Sequence, residues 1–287
     1  MAAGVLADSF TLRNAVTNRI WIAVLVIAAL TGCRALENHF IFDPTDFSED
    51  WQSIPNPQIQ EAYFRAADET LLHGMLAKHA DPRAVILFAH GRQGNVSSLI
   101  DKLLVFVDRH QVSVMVFDYR GYGRSGGKPD ELGVYQDARA ARKWLAEATD
   151  SNESDVVLMG RSLGAAVAIE LAANDGARGL VVESGFTSLS DFVKHHAPPV
   201  PADLILFSKF DSLEKIGRYR GPVLVSHGRA DRVIPFKHGK ALFDAAAGPK
   251  HFFRTVGGHE ADPTHSYQMA LDQFISDLNF ENLSQSY

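Results

Sequence analysis

Apolar residues in this 287-residue chain fall into two kinds of run. Short, nearly unbroken runs occur at 84–89 (AVILFA), 112–117 (VSVMVF), 155–159 (DVVLM), 179–182 and 222–226 (PVLVS), and a shorter apolar pair marks 251–255 (HFFRT). The first five are rich in apolar residues and bounded by glycine, proline or polar residues, the pattern of a strand buried on both faces, and 251–255 reads as a last strand. Between them, over 96–110, 131–149, 164–174, 238–247 and 266–278, apolar positions recur three and four residues apart, which predicts helices. Strands alternating with helices predict an α/β fold, a mostly parallel sheet with helices on both faces. Two earlier pieces at 62–66 and 71–77 predict an antiparallel hairpin at one edge.

Three segments break the alternation. Residues 34–57 carry Asp43, Asp46, Glu49 and Asp50 among Pro44, Pro55 and Pro57, and read as a polar tether ahead of a domain spanning 58–287. Residues 184–221 are too long for an ordinary αβ connection of about 2–6 residues. Their apolar stretch Leu204 to Phe207 reads as part of a short lid. The third segment is the N-terminus, where Arg13 and Arg19 precede the uncharged run 20–30 (IWIAVLVIAAL). That run is short for a bilayer span, which needs about 20 apolar residues, and fits a signal-peptide core of about 7–15.

Composition adds exclusions. At 46% hydrophobic and 22% charged the chain resembles an ordinary globular protein. A net charge of −6 with no basic cluster argues against nucleic acid as a partner. One cysteine, Cys33, cannot form an internal disulfide.

Two stretches match Gly-x-Ser-x-Gly. Gly160-Arg161-Ser162-Leu163-Gly164 lies directly between a strand and a helix, as a nucleophile elbow requires. Gly123-Arg124-Ser125-Gly126-Gly127 sits in a glycine-rich loop, so Ser162 is the candidate nucleophile. A serine hydroxyl needs a base to take its proton, and the base needs an acid to fix its tautomer. In this topology the order is serine, acid, histidine. Asp231 follows the strand PVLVS, at the strand end where α/β proteins place their sites. His259 follows the last strand behind Gly257-Gly258, and is the candidate base among twelve histidines. Glu183 is the reserve acid. An oxyanion hole needs two backbone N–H donors, assigned to Leu163 and to Arg92 in the loop His90-Gly91-Arg92-Gln93-Gly94-Asn95. His90 reads as a structural hydrogen bonder, and Asp118 as the residue ordering the DYRGYGRS loop.

HGRQGN, DYRGYGRSGGKP, GRSLG, HGRADRVIPF and GGH stand in the order and spacing of the α/β-hydrolase superfamily. Together they resemble its small membrane-anchored members, which include depalmitoylases and related esterases. The resemblance covers residue 57 to the C-terminus. It implies an eight-stranded sheet, a serine hydrolase acting on carboxylic esters or thioesters, neither cofactor nor metal, and Ser162, Asp231 and His259 as triad. Arg92-Gln93 departs from the Asn-Ala that many relatives carry. Two other readings stand beside it: a peptidase of the same fold, and a non-catalytic envelope protein that uses the fold for binding. The first is disfavoured by an insertion with only Asp191, Asp203, Asp211 and Glu214 to clamp an amine, the second by the intact triad positions and glycines.

Leu30-Thr31-Gly32-Cys33 resembles the lipobox of bacterial lipoproteins. That resemblance implies a signal peptide over 1–32, lipid attachment at Cys33 and membrane anchoring in a bacterial envelope. Arg34, where inner-membrane members often carry aspartate, points to the outer membrane.

Overall fold

The computed structural model describes residues 37–45, 56, 58–199, 201–261 and 263–285. The apolar run 20–30 and Cys33 therefore lie outside the described residues. The chain divides into two compact units, Met1–Ile41 and Phe42–Tyr287. Of the first, residues 37–41 are described and are helical. Among the described residues no helix is long and apolar enough to cross a membrane.

The described residues of the larger unit form ten strands: β1 (Asp43–Pro44), β2 (Ile59–Arg65), β3 (Leu71–Ala77), β4 (Val85–Ala89), β5 (Gln93–Gly94), β6 (Ser113–Asp118), β7 (Val156–Arg161), β8 (Gly179–Glu183), β9 (Val223–Gly228) and β10 (Lys250–Thr255). Eight of them form one sheet in the order β10-β9-β8-β7-β4-β6-β3-β2. The pairs β2–β3 and β3–β6 are antiparallel and the other pairs of the sheet parallel, so β3 alone runs against the rest, and β2 and β3 form the edge hairpin expected from the sequence. β6 and β9 are buried at every position, which explains their unbroken apolar character. The edge strand β2 alternates exposed and buried residues along its second half, because one of its faces meets water.

Helices flank the sheet: α1 (Ile100–His110), α2 (Glu131–Ala148), α3 (Leu163–Asp175), α7 (Phe236–Ala245) and α8 (His265–Gln285). Asp130 caps α2 by accepting from Gly133 N–H at 2.7 Å, an N-cap contact worth about 1 kcal/mol. In α3 every residue from Leu163 to Ala172 is buried. A helix buried all round needs small side chains to approach its neighbours, and this one reads LGAAVAIELAAND.

The insertion between β8 and β9 folds as three short helices, α4 (Leu189–His196), α5 (Ala202–Ile205) and α6 (Ser212–Ile216). Phe210 pins it to the body: fully buried, it meets Phe42, Tyr135 and Phe186 ring to edge at 5.7–6.3 Å. The tether expected over 34–57 differs from the structure at its centre. Phe42 is buried, and β1 pairs in parallel with β5, Asp43 opposite Gln93 and Pro44 opposite Gly94. Polar, proline-bearing composition hid a segment whose partners lie fifty residues downstream.

Candidate active site

Four chain segments meet beyond the carboxyl ends of β4, β7, β9 and β10. At the second of them the backbone reverses from β7 into α3 with Ser162 at φ +55° and ψ −116°. A non-glycine residue held there costs about 1–3 kcal/mol, which the surroundings must offset. Ser162 N–H donates to the Glu183 carbonyl at 2.9 Å. Its flanking glycines are required by contact: a Cβ on Gly160 would strike the Gly164 carbonyl, and one on Gly164 the Ala89 carbonyl. The other serine motif is committed elsewhere. Ser125 is buried, donating to the Asp118 carbonyl at 2.7 Å and accepting from His73 N–H at 2.9 Å.

The three residues singled out from the sequence come together. His259 Nε2 lies 3.1 Å from Ser162 Oγ, and His259 Nδ1 lies 2.8 Å from Asp231 Oδ2. Asp231 Oδ1 accepts from the N–H groups of Val233 and Ile234 at 2.9 and 2.8 Å. Burial pushes the Asp231 carboxyl up, but these bonds and the neighbouring His259 and His227 outweigh it, and its pKa is lowered. Asp231 thus stays ionised, and it holds the His259 proton on Nδ1, leaving Nε2 free to accept from the serine. Neither Gly257 nor Gly258 takes a left-handed φ. Gly257 is needed because a Cβ there would strike Ala261.

Leu163 opens α3, so its N–H is among the first-turn donors without an intrahelical acceptor. Across from it lies the loop after β4. His90 is buried, and its Nδ1–H donates to the Gly91 carbonyl at 2.8 Å. That carbonyl and the Arg92 N–H share one planar trans peptide, so the N–H points away from His90. A Cβ on Gly91 would sit 3.8 Å from Ser162 Cβ, and Arg92 borders the same cavity as Ser162. Asp118 acts as expected: it accepts from His73 Nδ1 at 2.9 Å, from Arg124 N–H at 3.3 Å and from Val96 N–H at 2.9 Å.

The acid's place at His259 Nδ1 is taken by Asp231, and Glu183, the reserve acid, instead accepts from Tyr267 Oη. Burial raises its pKa, with Tyr267 and Arg161 acting against that rise. Sequence reasoning passed over Arg161, whose Nη2 donates to the His259 carbonyl and faces Glu260 at 3.6 Å. The only signal for it was its place inside GRSLG.

A cavity of about 580 Å³ opens beside Ser162 and His259, walled by α1 and α8 over β4, β6 and β7. Leu103, Phe106, Val114, Met159 and Leu271 give it an apolar interior. Among the described residues of 184–221, none lines it. In the stretch read as part of a short lid, Leu204 is 86% exposed and Ile205 52%, so the apolar surface next to the serine comes from other residues.

Residues 80–210 match the family model described as serine aminopeptidase, S33. An uncharacterized protein of Mycobacterium tuberculosis (strain CDC 1551 / Oshkosh) is 32% identical over 244 residues, covering 84% of this chain and 86% of that protein. Alpha/beta hydrolase domain-containing protein 17B of Homo sapiens is 31% identical over 195 residues, 67% of this chain and 66% of its own. Among solved structures, the Pyrococcus furiosus esterase Pf2001 superposes with a TM-score of 0.67 at 16% identity, over 83% of this chain and 97% of its own. An α/β hydrolase of Vibrio vulnificus does so with a TM-score of 0.63 at 22% identity, over 79% and 82%. At such identities the solved structures speak for the fold; together with the curated relatives and the eight-stranded sheet they establish that the chain belongs to the α/β-hydrolase superfamily.

Proposed function

We propose that this chain is a serine hydrolase that cleaves carboxylic esters or thioesters through an acyl-enzyme. The observation that carries the reading is the continuous hydrogen-bonded line from Asp231 through His259 to Ser162, with Ser162 on a strained strand-to-helix turn. Ser162 Oγ attacks the substrate carbonyl as its proton passes to His259 Nε2. Asp231, already ionised, stabilises the imidazolium that forms. The N–H groups of Leu163 and Arg92 receive the negative charge on the carbonyl oxygen. Collapse of the tetrahedral species transfers the proton from His259 to the leaving alcohol or thiol. Water then repeats the sequence on the acyl-enzyme and frees Ser162.

The apolar cavity supports an acyl group longer than acetyl, since ligand sites of about 300–1,000 Å³ hold drug-sized molecules. A peptidase reading draws on the family model's description. It finds less support in the site, where Glu183 is bound to Tyr267 and Glu260 faces Arg161. We further infer from the sequence alone that Cys33 carries a lipid anchor in a bacterial envelope. Loss of membrane association in Cys33→Ala tests that part.

Labelling with a fluorophosphonate, located by peptide mass beside a Ser162→Ala control, tests the hydrolase reading. Label on Ser162 is expected, followed by turnover of p-nitrophenyl esters in preference to aminoacyl p-nitroanilides. A folded protein that takes no label on Ser162 would rule the reading out.

A further inference from the structure

We propose that Asp43, with the two-residue strand it opens, is a positioning residue for the oxyanion donor at Arg92. This rests on the assignment of the Arg92 N–H to that role. A donor is effective only within about 2.7–3.1 Å of the developing oxyanion, so the loop that carries it must be held to a few tenths of an ångström. The loop's own sequence does not provide this. Arg92 and Gln93 are exposed, and Gly94 sits at φ +82°.

The restraint comes from the segment Phe42 to Thr45. β1 lies alongside β5 in register. The Asp43 carboxylate Oδ2 accepts from Arg92 Nη2 at 3.2 Å and from Gln93 Nε2 at 3.0 Å. Tyr122 joins the two chains a second time: its hydroxyl donates to the Arg92 carbonyl at 2.7 Å and accepts from Asp43 N–H at 3.1 Å. The strap is itself fastened at both ends. Phe42 packs on Phe210, and the Thr45 carbonyl accepts from Gly123 N–H at 3.0 Å. His90 fixes the peptide before Arg92 and the strap fixes the peptide after it, so the two torsions of Arg92 are set from both sides.

The test uses the full chain and a p-nitrophenyl ester, with Asp43→Ala, Asp43→Asn and Tyr122→Phe. Deleting an oxyanion donor outright costs about 10²–10³ in kcat, so a displaced donor should cost roughly tenfold. We expect that loss in kcat for Asp43→Ala and Tyr122→Phe, with KM within about twofold and the acid limb of the pH–rate profile unmoved. Asp43→Asn keeps an acceptor oxygen for Gln93 and Arg92 and should recover most of the rate. Tyr122→Phe deletes a single hydroxyl, which guards against a failure of Asp43→Ala to fold. A labelled, active wild type with both variants within about twofold of it would overturn the strap while leaving the hydrolase reading intact. So would a fall in kcat that carries the acid limb with it, since the effect would then run through His259. A wild type whose Ser162 takes no label overturns both.

Discussion

The turn at Ser162 and the loop at Arg92 leave neighbouring strands, β7 and β4, in the same direction and border the same cavity, yet they are held by opposite means. The Ser162 turn is held from within. Its glycines let the chain double back onto itself and onto the Ala89 carbonyl, and its N–H bonds to the adjacent strand end at Glu183. The Arg92 loop has one restraint of its own, the bond from His90 to the Gly91 carbonyl, and is otherwise held from without, by Tyr122 beside it and β1 alongside. A local device leaves its signature in five consecutive residues. A borrowed one spreads it over eighty.

The largest expected effect falls on the first region. Ser162→Ala should lower kcat by at least about 10⁴-fold, and Asp231→Asn by a comparable factor, since loss of the nucleophile or of the tautomer-fixing acid has that scale in triad enzymes. Circular dichroism should show both variants folded. Residual activity within tenfold of wild type would mean that another group attacks the substrate.

Next in size is a direct contrast of the two regions by stability. Gly164→Ala drives a Cβ into the Ala89 and His90 carbonyls, all backbone with no room to yield. It should cost about 3 kcal/mol or more, at the top of the range for overpacking. Gly94→Ala meets only Ser98 Oγ at 3.4 Å and keeps a φ of +82°, so it should cost about 1–2 kcal/mol, the left-handed penalty alone. Urea denaturation measures both. Equal costs would show that close approach is not what holds the Ser162 turn.

That contrast also explains what was legible in the sequence. The inner strands of the main sheet and each flanking helix follow from apolar periodicity, because burial on two faces or on one stripe forces it; β10, with no buried position and only two apolar residues, carries that signal weakly. The elbow, Asp231 and His259 follow from their places after strands. Three things did not. Asp43 and Tyr122 act through partners that no spacing rule connects. Arg161 holds the His259 carbonyl from inside a motif whose second position carries no fixed residue type. The apolar cavity is assembled from α1, α8 and three strands, each of whose residues reads as ordinary core when taken alone.

A smaller effect is expected where the two regions share a wall. Leu103→Trp narrows the interior of the cavity without touching Ser162 or Arg92. The ratio of kcat/KM for an octanoyl ester to that for an acetyl ester should fall about tenfold, since lost pocket contact for a few methylenes is worth about 1–3 kcal/mol. Acetyl turnover should change little. An unchanged ratio would place the acyl group outside this cavity.

The smallest effect concerns acid, and only one of the two regions should show it. His90 is buried, and burial lowers its pKa, with the Asp118 charge opposing only in part. Its Nε2 is buried with no hydrogen-bond partner among the described residues, so a second proton would leave both a charge and an N–H unpaired. The folded state therefore refuses a proton that the unfolded chain accepts near its ordinary pKa of about 6.5. Where the unfolded state binds more protons, stability falls as pH falls. The contribution of His90 is complete above about pH 6.5 and declines from there towards the lowered folded-state value. Melting curves between pH 7.5 and 5.5 should show a shallower loss in His90→Gln than in wild type, although the variant begins lower for want of the bond to Gly91. His227 and His238, both also lowered by burial, His238 to about 4, add slope of the same sign, while Asp137, raised by burial to about 6, adds slope of the opposite sign in every variant. Ser162→Ala removes no titrating group and should keep the wild-type slope. If His90→Gln keeps it too, the loop is not held by a neutral imidazole, and its restraint falls to Tyr122 and β1 alone.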